Sequence, residues 1–470
     1  MPLTFALLAG EASGDAQGAL LVEAIRSLQP DARFLGIGGP RMQSAGVEII
    51  HNSGEWGSIG IIESLRLYFP LNRIKDELVR RFGADPPDLL IPIDFGYFNV
   101  RVAHPLHRRG VRVLYYFPPR SWSQAAHVSP RLKESVDLVA TPFPWSADRF
   151  RAAGVPVSFV GHPLLDAAAR TPDRRVLCSE WGLDPDRPIV ALLPGSRGHE
   201  IKYLWPQLLI AASRILRKIP NAQFVTPIAP TVDRRRLEAS TEKILRRLRN
   251  KEHERALIQR EMSARHNLNL RVTQYEEHPE RRVIPVWQEE PDVSDDPDDI
   301  KIPIDNITLR LVDGRTADAL AAADAAAICS GTATLEAAIL QSPMVILYGG
   351  SWLMAAEWAL RKSHLAIPFI GMPNLLAGRL IVPEMIQEDA SGPKIAREII
   401  SLLTDSARAE KMKADLAAAT ACLGEPGATA RAAALAVAAA RGDWSDGAIA
   451  QPEGAHARAA APTAAAKGDK

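Results

Sequence analysis

The chain has 470 residues, 47% of them hydrophobic, and a formal net charge of +1; such a length accommodates two α/β domains with a large core. Balanced charge argues against nucleic-acid binding driven by bulk electrostatics, so any basic surface must be local. The three cysteines, Cys178, Cys329 and Cys422, are too scattered for a metal motif or a disulfide framework and suit a reducing cytoplasm.

Met1 to Leu8 carry no basic segment ahead of their apolar run, so the chain is expected to open on a strand rather than a signal peptide. No stretch has the uninterrupted apolar length of a spanning helix, and any membrane contact is expected to be peripheral. Leu3 to Ala9 reads as that first strand, closed by Gly10-Glu11-Ala12-Ser13-Gly14-Asp15 and followed by helical spacing from Ala19 to Leu28. Gly10 and Gly14 leave room for a sugar or phosphate beside Glu11; loop packing alone is the alternative. A second strand, Arg33 to Ile37, ends in Gly38-Gly39-Pro40. Arg41 stands where a dinucleotide fingerprint needs a third glycine, and the loop follows the wrong strand, which discounts a nicotinamide or flavin enzyme.

Between Ile59 and Lys75 large apolar side chains are interleaved with Arg66, Arg73 and Lys75, and Arg80 and Arg81 follow. The mixture predicts a surface that dips into a lipid interface through Ile62, Leu65, Leu67, Phe69 and Leu71 while its cations meet anionic headgroups. A helix buried against the sheet is the competing expectation. Asp88 to Ile93 is a further strand, and it delivers Asp94 to the carboxyl edge of a parallel sheet, where open α/β folds place their chemistry. Asp94 is suited to accept the proton of an attacking hydroxyl, or to cap the helix that follows. After a strand from Arg112 to Phe117, the loop Pro118-Pro119-Arg120-Ser121-Trp122 offers an aromatic ring for stacking on a sugar. Strands at Asp137 to Thr141 and Val157 to Val160 complete the sheet, and Gly161-His162-Pro163 leads out of it toward a domain boundary after residue 167.

The architecture restarts at Ile189 to Leu193, a strand followed by Pro194-Gly195-Ser196-Arg197-Gly198-His199-Glu200. Arg197 would supply a fixed cation for a diphosphate, with Gly195 and Ser196 letting backbone donors approach; an arginine that merely pairs with Glu200 is the alternative. Asp324 to Cys329 is another buried strand, and Ser330-Gly331-Thr332-Ala333-Thr334-Leu335-Glu336 opens a helix from Thr334 to Leu340. Unpaired N–H groups and the dipole at such a helix start favour a phosphate, and Glu336 is one turn in, within reach of ribose hydroxyls. An ordinary N-cap by Ser330 or Thr332 would explain the same residues.

Taken together, Gly10-Glu11-Ala12-Ser13-Gly14-Asp15, Gly39-Pro40-Arg41-Met42, Ile93-Asp94 with Phe98-Asn99, Gly161-His162-Pro163, Leu192-Leu193-Pro194-Gly195-Ser196-Arg197, Ser330-Gly331-Thr332-Ala333 with Leu335-Glu336, and Pro373-Asn374-Leu375-Leu376-Ala377-Gly378-Arg379 resemble the lipid-A-disaccharide synthase family in order and spacing. The resemblance covers about residues 3–230 and 308–400. It implies an α/β protein of GT-B type, two Rossmann-like domains facing each other across a cleft: an acceptor-binding half at 1–167 and a nucleotide-sugar-binding half at 168–441. By the same likeness the donor is UDP-2,3-diacylglucosamine and the acceptor 2,3-diacylglucosamine 1-phosphate (lipid X), joined in a β-1,6 link at the inner-membrane surface. No cofactor or metal is expected, and a homodimer is left open.

Within that frame Asp94 is the expected base with Glu11 its rival, and Arg197 and the Gly331 turn hold the diphosphate. Gly195, Ser196, Ser330, Thr332, Glu336, Asn374 and Gln387 complete the nucleotide-sugar site, and Ser13, Gly14, Asn99 and Trp122 the acceptor site. The chain departs from the family at Tyr97, where an aspartate is usual, and at Gln124, where a second tryptophan is usual. Both changes lie in the acceptor half and bear on the acceptor more than the donor. A relative using another acceptor, an enzyme epimerising a UDP-sugar and a silent nucleotide-sugar binder are the competing readings; intact Asp94, Arg197 and Glu336 speak against the last. Residues 233–307 read as an insertion, a charged helix with a solvated face followed by a disordered acidic loop, with a membrane or partner contact by the helix as the lesser reading. Ala428 to Arg441 reads as a helix packing back on the body, and the tail from Gly442 as disordered.

Overall fold

Short apolar runs alternating with helical segments call for parallel sheets covered on both faces. The computed structural model describes residues 2–53, 56, 61–119, 121, 127–248, 250, 307–349 and 369–443, and of residues 61–69 and 97 the backbone alone. Two all-parallel sheets are built within them. The first contains Thr4–Ala9 (β1), Arg33–Gly38 (β2), Glu48–Asn52 (β3), Leu89–Ile93 (β4), Leu114–Tyr116 (β5), Leu138–Thr141 (β6) and Val157–Phe159 (β7), in the order β3-β2-β1-β4-β5-β6-β7. The second contains Ile189–Leu193 (β8), Gln223–Ile228 (β9), Leu309–Asp313 (β10), Ala325–Cys329 (β11), Met344–Tyr348 (β12) and Glu384–Ile386 (β13), in the order β10-β9-β8-β11-β12-β13.

Both orders reverse beside their first strand, β1 between β2 and β4, and β8 between β9 and β11. Open sheets bind ligands outside the carboxyl ends of the strands at such a reversal. The register brings the relevant ends level: Ala9 pairs with Ile93, and Leu193 with Ile328. Gly10 and Asp94 therefore emerge side by side in one sheet, and Pro194 and Cys329 in the other.

Burial on both faces explains why β1 reads as a continuous apolar run. Phe5, Leu7 and Ala9 join a cluster with Leu21, Val22 and Ile25 of the helix Ala12–Leu28 (α1), while Ala6 and Leu8 point the other way, toward Leu78 and Phe82 of the helix Ile61–Ala84 (α3) and Val102 of Gly96–His107. Leu71 belongs to that second cluster and is 8% exposed, so its expected role at a membrane is corrected: it is a core residue. The side chains of Ile62, Leu65, Leu67 and Phe69 lie outside the described residues, as do Trp122, Gln124 and the acidic stretch near residue 290.

The chain forms two compact units, residues up to Arg170 together with those from Thr420, and Thr171–Ala419. This corrects the expected division at 168–441, because the C-terminal helix Ala428–Arg441 belongs to the first unit. Ala432, Ala433, Ala436, Ala439 and Ala440 enter the cluster of Phe5 and Leu21, where side chains this small let the helix approach closely. Asp166 accepts hydrogen bonds from Gly427 N and from Thr429 N (3.0 Å), Arg431 Nε donates to Val160 O at 2.9 Å, and His162 N donates to Leu423 O at 3.0 Å. The Gly161-His162-Pro163 segment is thus the dock for the returning chain. Its imidazole is 5% exposed, and burial drives its pKa down to about 3.

The stretch from Asp233 is corrected as well. Residues 234–248 are helical and amphipathic: Leu237 and Thr241 are buried, and Trp205 Nε1 donates to Thr241 Oγ1 at 2.9 Å. Its outer face, including Arg235, Arg236, Lys243, Arg246 and Arg247, is exposed as expected, but its inner face is part of the second core. Gly442 (φ 81°) ends the last helix, and the tail from residue 444 lies outside the described residues.

Candidate functional site

In the first unit the site is built on the loops after β1 and β4. Glu11 starts α1 in an extended conformation with no side-chain cap bond, and Ser13 is exposed in the first turn. Gly14 is buried, and a Cβ there would meet that of Ala9 at 3.4 Å, an ordinary packing contact, so this position lies in the helix–strand interface and does not open to solvent. Asp15, which the sequence reading passed over, is 4% exposed and accepts from Gly39 N (2.7 Å), Arg41 N (3.1 Å) and Met42 N (3.0 Å). It caps the short helix Pro40–Ser44 (α2), binding the two glycine-bearing motifs to each other. Gly39 is needed because a Cβ would stand 2.8 Å from the Asp15 carboxylate.

Asp94 and Phe95 both adopt left-handed conformations, φ 47° and 44°. A non-glycine residue there costs on the order of 1–2 kcal/mol and is held by its surroundings. Gly10 accepts the Phe95 ring, which would clash with a Cβ at 2.3 Å, and Gly96 accepts Pro119 at the same separation. Asp94 is solvent-exposed by area, yet protein crowds its carboxyl closely enough that desolvation, with Glu11 as the second cause, raises its pKa to about 6. The Phe95 backbone pulls in the opposite direction. A carboxylate that loses its proton near neutrality, at the sheet reversal, is poised as a base. Asn99 is corrected from acceptor contact to scaffold. It is 1% exposed, and Nδ2 donates to Leu8 O and Ile93 O, both at 3.1 Å, and to Asp94 O at 2.8 Å.

In the second unit, Gly195 (φ 108°) leads into the helix Gly198–Lys218. The buried carboxylate of Glu200 accepts from Ser196 N (2.9 Å), Arg197 N (3.1 Å) and Arg197 Nη1 (3.1 Å). The backbone donors expected for a diphosphate are thus engaged by Glu200 in this structure, and a Cβ on Gly195 would collide with the same carboxylate at 2.3 Å. The pairing of Arg197 with Glu200, the alternative from sequence, is what is observed; the arginine side chain remains 47% exposed. Burial, and next the Glu200 charge, push the Cys329 thiol far up while Arg197 pulls it down, which puts the arginine loop beside the end of β11.

Gly331 is the N-cap of the helix Thr332–Ile339 and provides no side-chain cap, so neither Ser330 nor Thr332 plays that part. Ser330 Oγ donates instead to Ile370 O at 3.1 Å, and Gly331 and Thr332 are exposed. Glu336 is half-buried one turn in. Asn374 is corrected. It is wholly buried, its oxygen accepts from Ile381 N and Val382 N (2.8 and 2.9 Å), and its Nδ2 donates to Val382 O and Glu384 Oε1 (both 2.8 Å). No side-chain polar atom is left for a nucleotide. Glu384, not singled out from sequence, also accepts from Ile370 N (3.0 Å) and Gly371 N (2.9 Å), so that Asn374 and Glu384 fix the loop to which Ser330 is tied. Gln387 (φ 54°) lies at the carboxyl end of β13, on the same edge of the sheet. Among the described residues no group of three or more His, Cys, Asp or Glu converges as metal ligands would, and no helix is long and apolar enough to cross a membrane.

Two Rossmann-like units, each carrying polar loops at its strand reversal, define an α/β protein of the GT-B class. Solved structures of that architecture agree with it at the level of fold. A UDP-GlcNAc 2-epimerase from Neisseria meningitidis bound to UDP-GlcNAc matches with a TM-score of 0.51 at 9% identity, over 93% of this chain and 98% of that one. CalG4, the calicheamicin glycosyltransferase, matches with a TM-score of 0.50 at 14% identity over the same shares. The family model for lipid-A-disaccharide synthetase matches residues 5–268 and 290–438, and a lipid-A-disaccharide synthase from Geobacter sulfurreducens is 35% identical over 429 residues, 91% of this chain and 95% of the relative. The chain belongs to the lipid-A-disaccharide synthetase family, a hexosyltransferase family of lipid A biosynthesis. The match also narrows the expected insertion at 233–307, since only residues 269–289 fall outside it between the two matched segments.

Proposed function

We propose that the protein transfers 2,3-diacylglucosamine from UDP to the 6-hydroxyl of 2,3-diacylglucosamine 1-phosphate with inversion, giving the β-1,6-linked disaccharide 1-phosphate and UDP. The observation that carries this reading is Asp94, a carboxylate raised to about 6 on a strained turn at the sheet reversal. Asp94 takes the hydroxyl proton as the acceptor oxygen bonds to the anomeric carbon, and the bond from that carbon to the diphosphate breaks. Burial, and after it Glu11, keeps the Asp94 pKa near working pH, and Glu11 has that part rather than the base's own. Arg197, oriented by Glu200, and the uncapped start of Thr332–Ile339 stabilise the charge on the departing diphosphate, with Glu336 toward the ribose. Both substrates are acylated, and we assign the start of α3, ahead of Leu71, to the inner-membrane surface from which they are drawn.

The test is incubation of purified protein with UDP-2,3-diacylglucosamine and lipid X, followed by mass spectrometry. Disaccharide 1-phosphate in equal amount to released UDP is expected. Release of UDP without a disaccharide would replace this reading with hydrolysis or epimerisation of the donor.

A further inference from the structure

The turn that presents Asp94 is held by few polar contacts. Asp94 N donates to Tyr116 O (3.2 Å) and Phe117 O (3.1 Å), and Asp94 O accepts from Tyr115 Oη (2.7 Å) and Asn99 Nδ2 (2.8 Å). Asn99 has two N–H bonds to share among the carbonyls of Leu8, Ile93 and Asp94. The Tyr115 hydroxyl donates its one proton to Asp94 O, with the Asn99 side chain as its other hydrogen-bond neighbour. Tyr115 is wholly buried in β5, and desolvation, followed by the nearby Asp94 charge, pushes its phenol well above the ordinary range, so it stays a donor at any working pH. The charged groups bearing on Asp94 are Glu11 from the loop after β1 and, when ionised, Tyr115 itself. Gly10 and Gly96 close on the turn from either side through Phe95 and Pro119, contacts that are apolar and give no direction to the Asp94 carbonyl.

We propose that Tyr115 is a positioning residue for the transfer reaction: its hydroxyl clamps the Asp94 carbonyl, holds the residue left-handed, and so fixes the carboxylate beside Glu11. This rests on the reading of Asp94 as the base. Without the clamp the strained turn relaxes toward ordinary backbone angles and carries the carboxylate off line, and displacements of about 1 Å in a catalytic group cost up to about a hundredfold in rate.

Tyr115→Phe removes only the hydroxyl. Expected with UDP-2,3-diacylglucosamine and lipid X is a fall in kcat of about tenfold or more, KM within about twofold, and an acid limb of the kcat/KM profile moved below its wild-type position near pH 6. The control is Tyr116→Phe, the adjacent tyrosine, whose buried hydroxyl has no hydrogen-bond partner among the described residues; it should leave kcat and the profile unchanged. Should Tyr115→Phe fail to fold, Gly10→Ala, which drives a methyl group into Phe95, is expected to produce the same displaced acid limb. A wild-type kcat and acid limb in Tyr115→Phe, or an altered melting temperature with an unaltered profile, would overturn the proposal. Asp94→Asn separates the two readings: if it is inactive while Tyr115→Phe is normal, the clamp alone fails, and if it turns over at the wild-type rate, the base assignment fails with it.

Discussion

Asp94 is a carboxylate whose ionised form the fold disfavours, and activity and stability therefore depend on it with opposite signs. Its folded pKa, about 6, lies above the ordinary 3.8, so between those values the folded state holds a proton the unfolded chain has released. Stability from this group is complete below about pH 4 and is lost as pH rises through about 6. Asp94→Asn should lower kcat by about two to four orders of magnitude with UDP affinity nearly intact, yet raise the melting temperature at pH 7.5 and leave it little changed at pH 4. A melting temperature that falls equally at both values would show that the charge is not strained. Asn374 is the opposite case, a polar residue at a functional edge whose work is internal. Removing its amide leaves the N–H groups of Ile381 and Val382 buried without partners, so Asn374→Ala should cost about 2–4 kcal/mol in a denaturant titration. The folded fraction should bind UDP within about threefold of wild type by calorimetry. Sequence makes both residues visible as polar groups after or near apolar runs. It hides the difference between them, because the atoms that consume the Asn374 and Asn99 amides come from other segments, Leu8 being 91 positions from Asn99.

At the scale of elements, the loops after β1 and β2 act as one piece through Asp15. Three backbone donors from α2 and its N-cap converge on that buried carboxylate, and Gly39 lets them do so because a Cβ there would press on the carboxylate. Asp15→Ala should therefore destabilise the first unit by about 2–4 kcal/mol, a lost cap plus buried unpaired donors. The expected readout is a lower denaturant midpoint with an unchanged m-value; a midpoint within error of wild type would leave the convergence of the two loops unexplained. β4, β8 and β11 were legible because they are covered on both faces and appear as plain apolar runs, whereas β9 and β12, also central, were not read. Two edge strands were not legible either, although Val157–Phe159, also at a sheet margin, was. Glu48–Asn52 and Glu384–Ile386 lie at the margins of their sheets, carry polar residues, and give no apolar run to read. The pairing of Arg197 with Glu200 was legible as an alternative, but not that the same carboxylate takes the Ser196 and Arg197 amides, since a glutamate three residues past an arginine looks like an ordinary helix-surface pair until its burial is known.

At the scale of the whole molecule, the sequence order places Ala428–Arg441 after the second unit, and local pattern gives no sign that it returns to the first. What decides its place is the face it presents. Ala432, Ala433, Ala436, Ala439 and Ala440 are buried in the cluster that holds Phe5 of β1 and Leu21 of α1, and a surface so flat packs well only where a neighbouring helix can come equally close. Asp166 and Arg431 then fix the start of the helix by hydrogen bonds to and from the backbone, and Arg112 Nη1 holds its end by donating to Ala440 O at 2.9 Å. A larger side chain on that face must either separate the helices or distort β1, the strand that delivers Gly10 to the Asp94 turn. Ala436→Leu should accordingly cost about 1–3 kcal/mol and lower kcat more than it raises KM for UDP-2,3-diacylglucosamine, because it disturbs the unit that carries the base and not the one proposed to hold the donor. The same change at Ala430, on the exposed side of the helix, should do neither. Equal effects from the two substitutions, measured by thermal melts and initial rates, would mean that the C-terminal helix contributes length to the chain but not shape to the site.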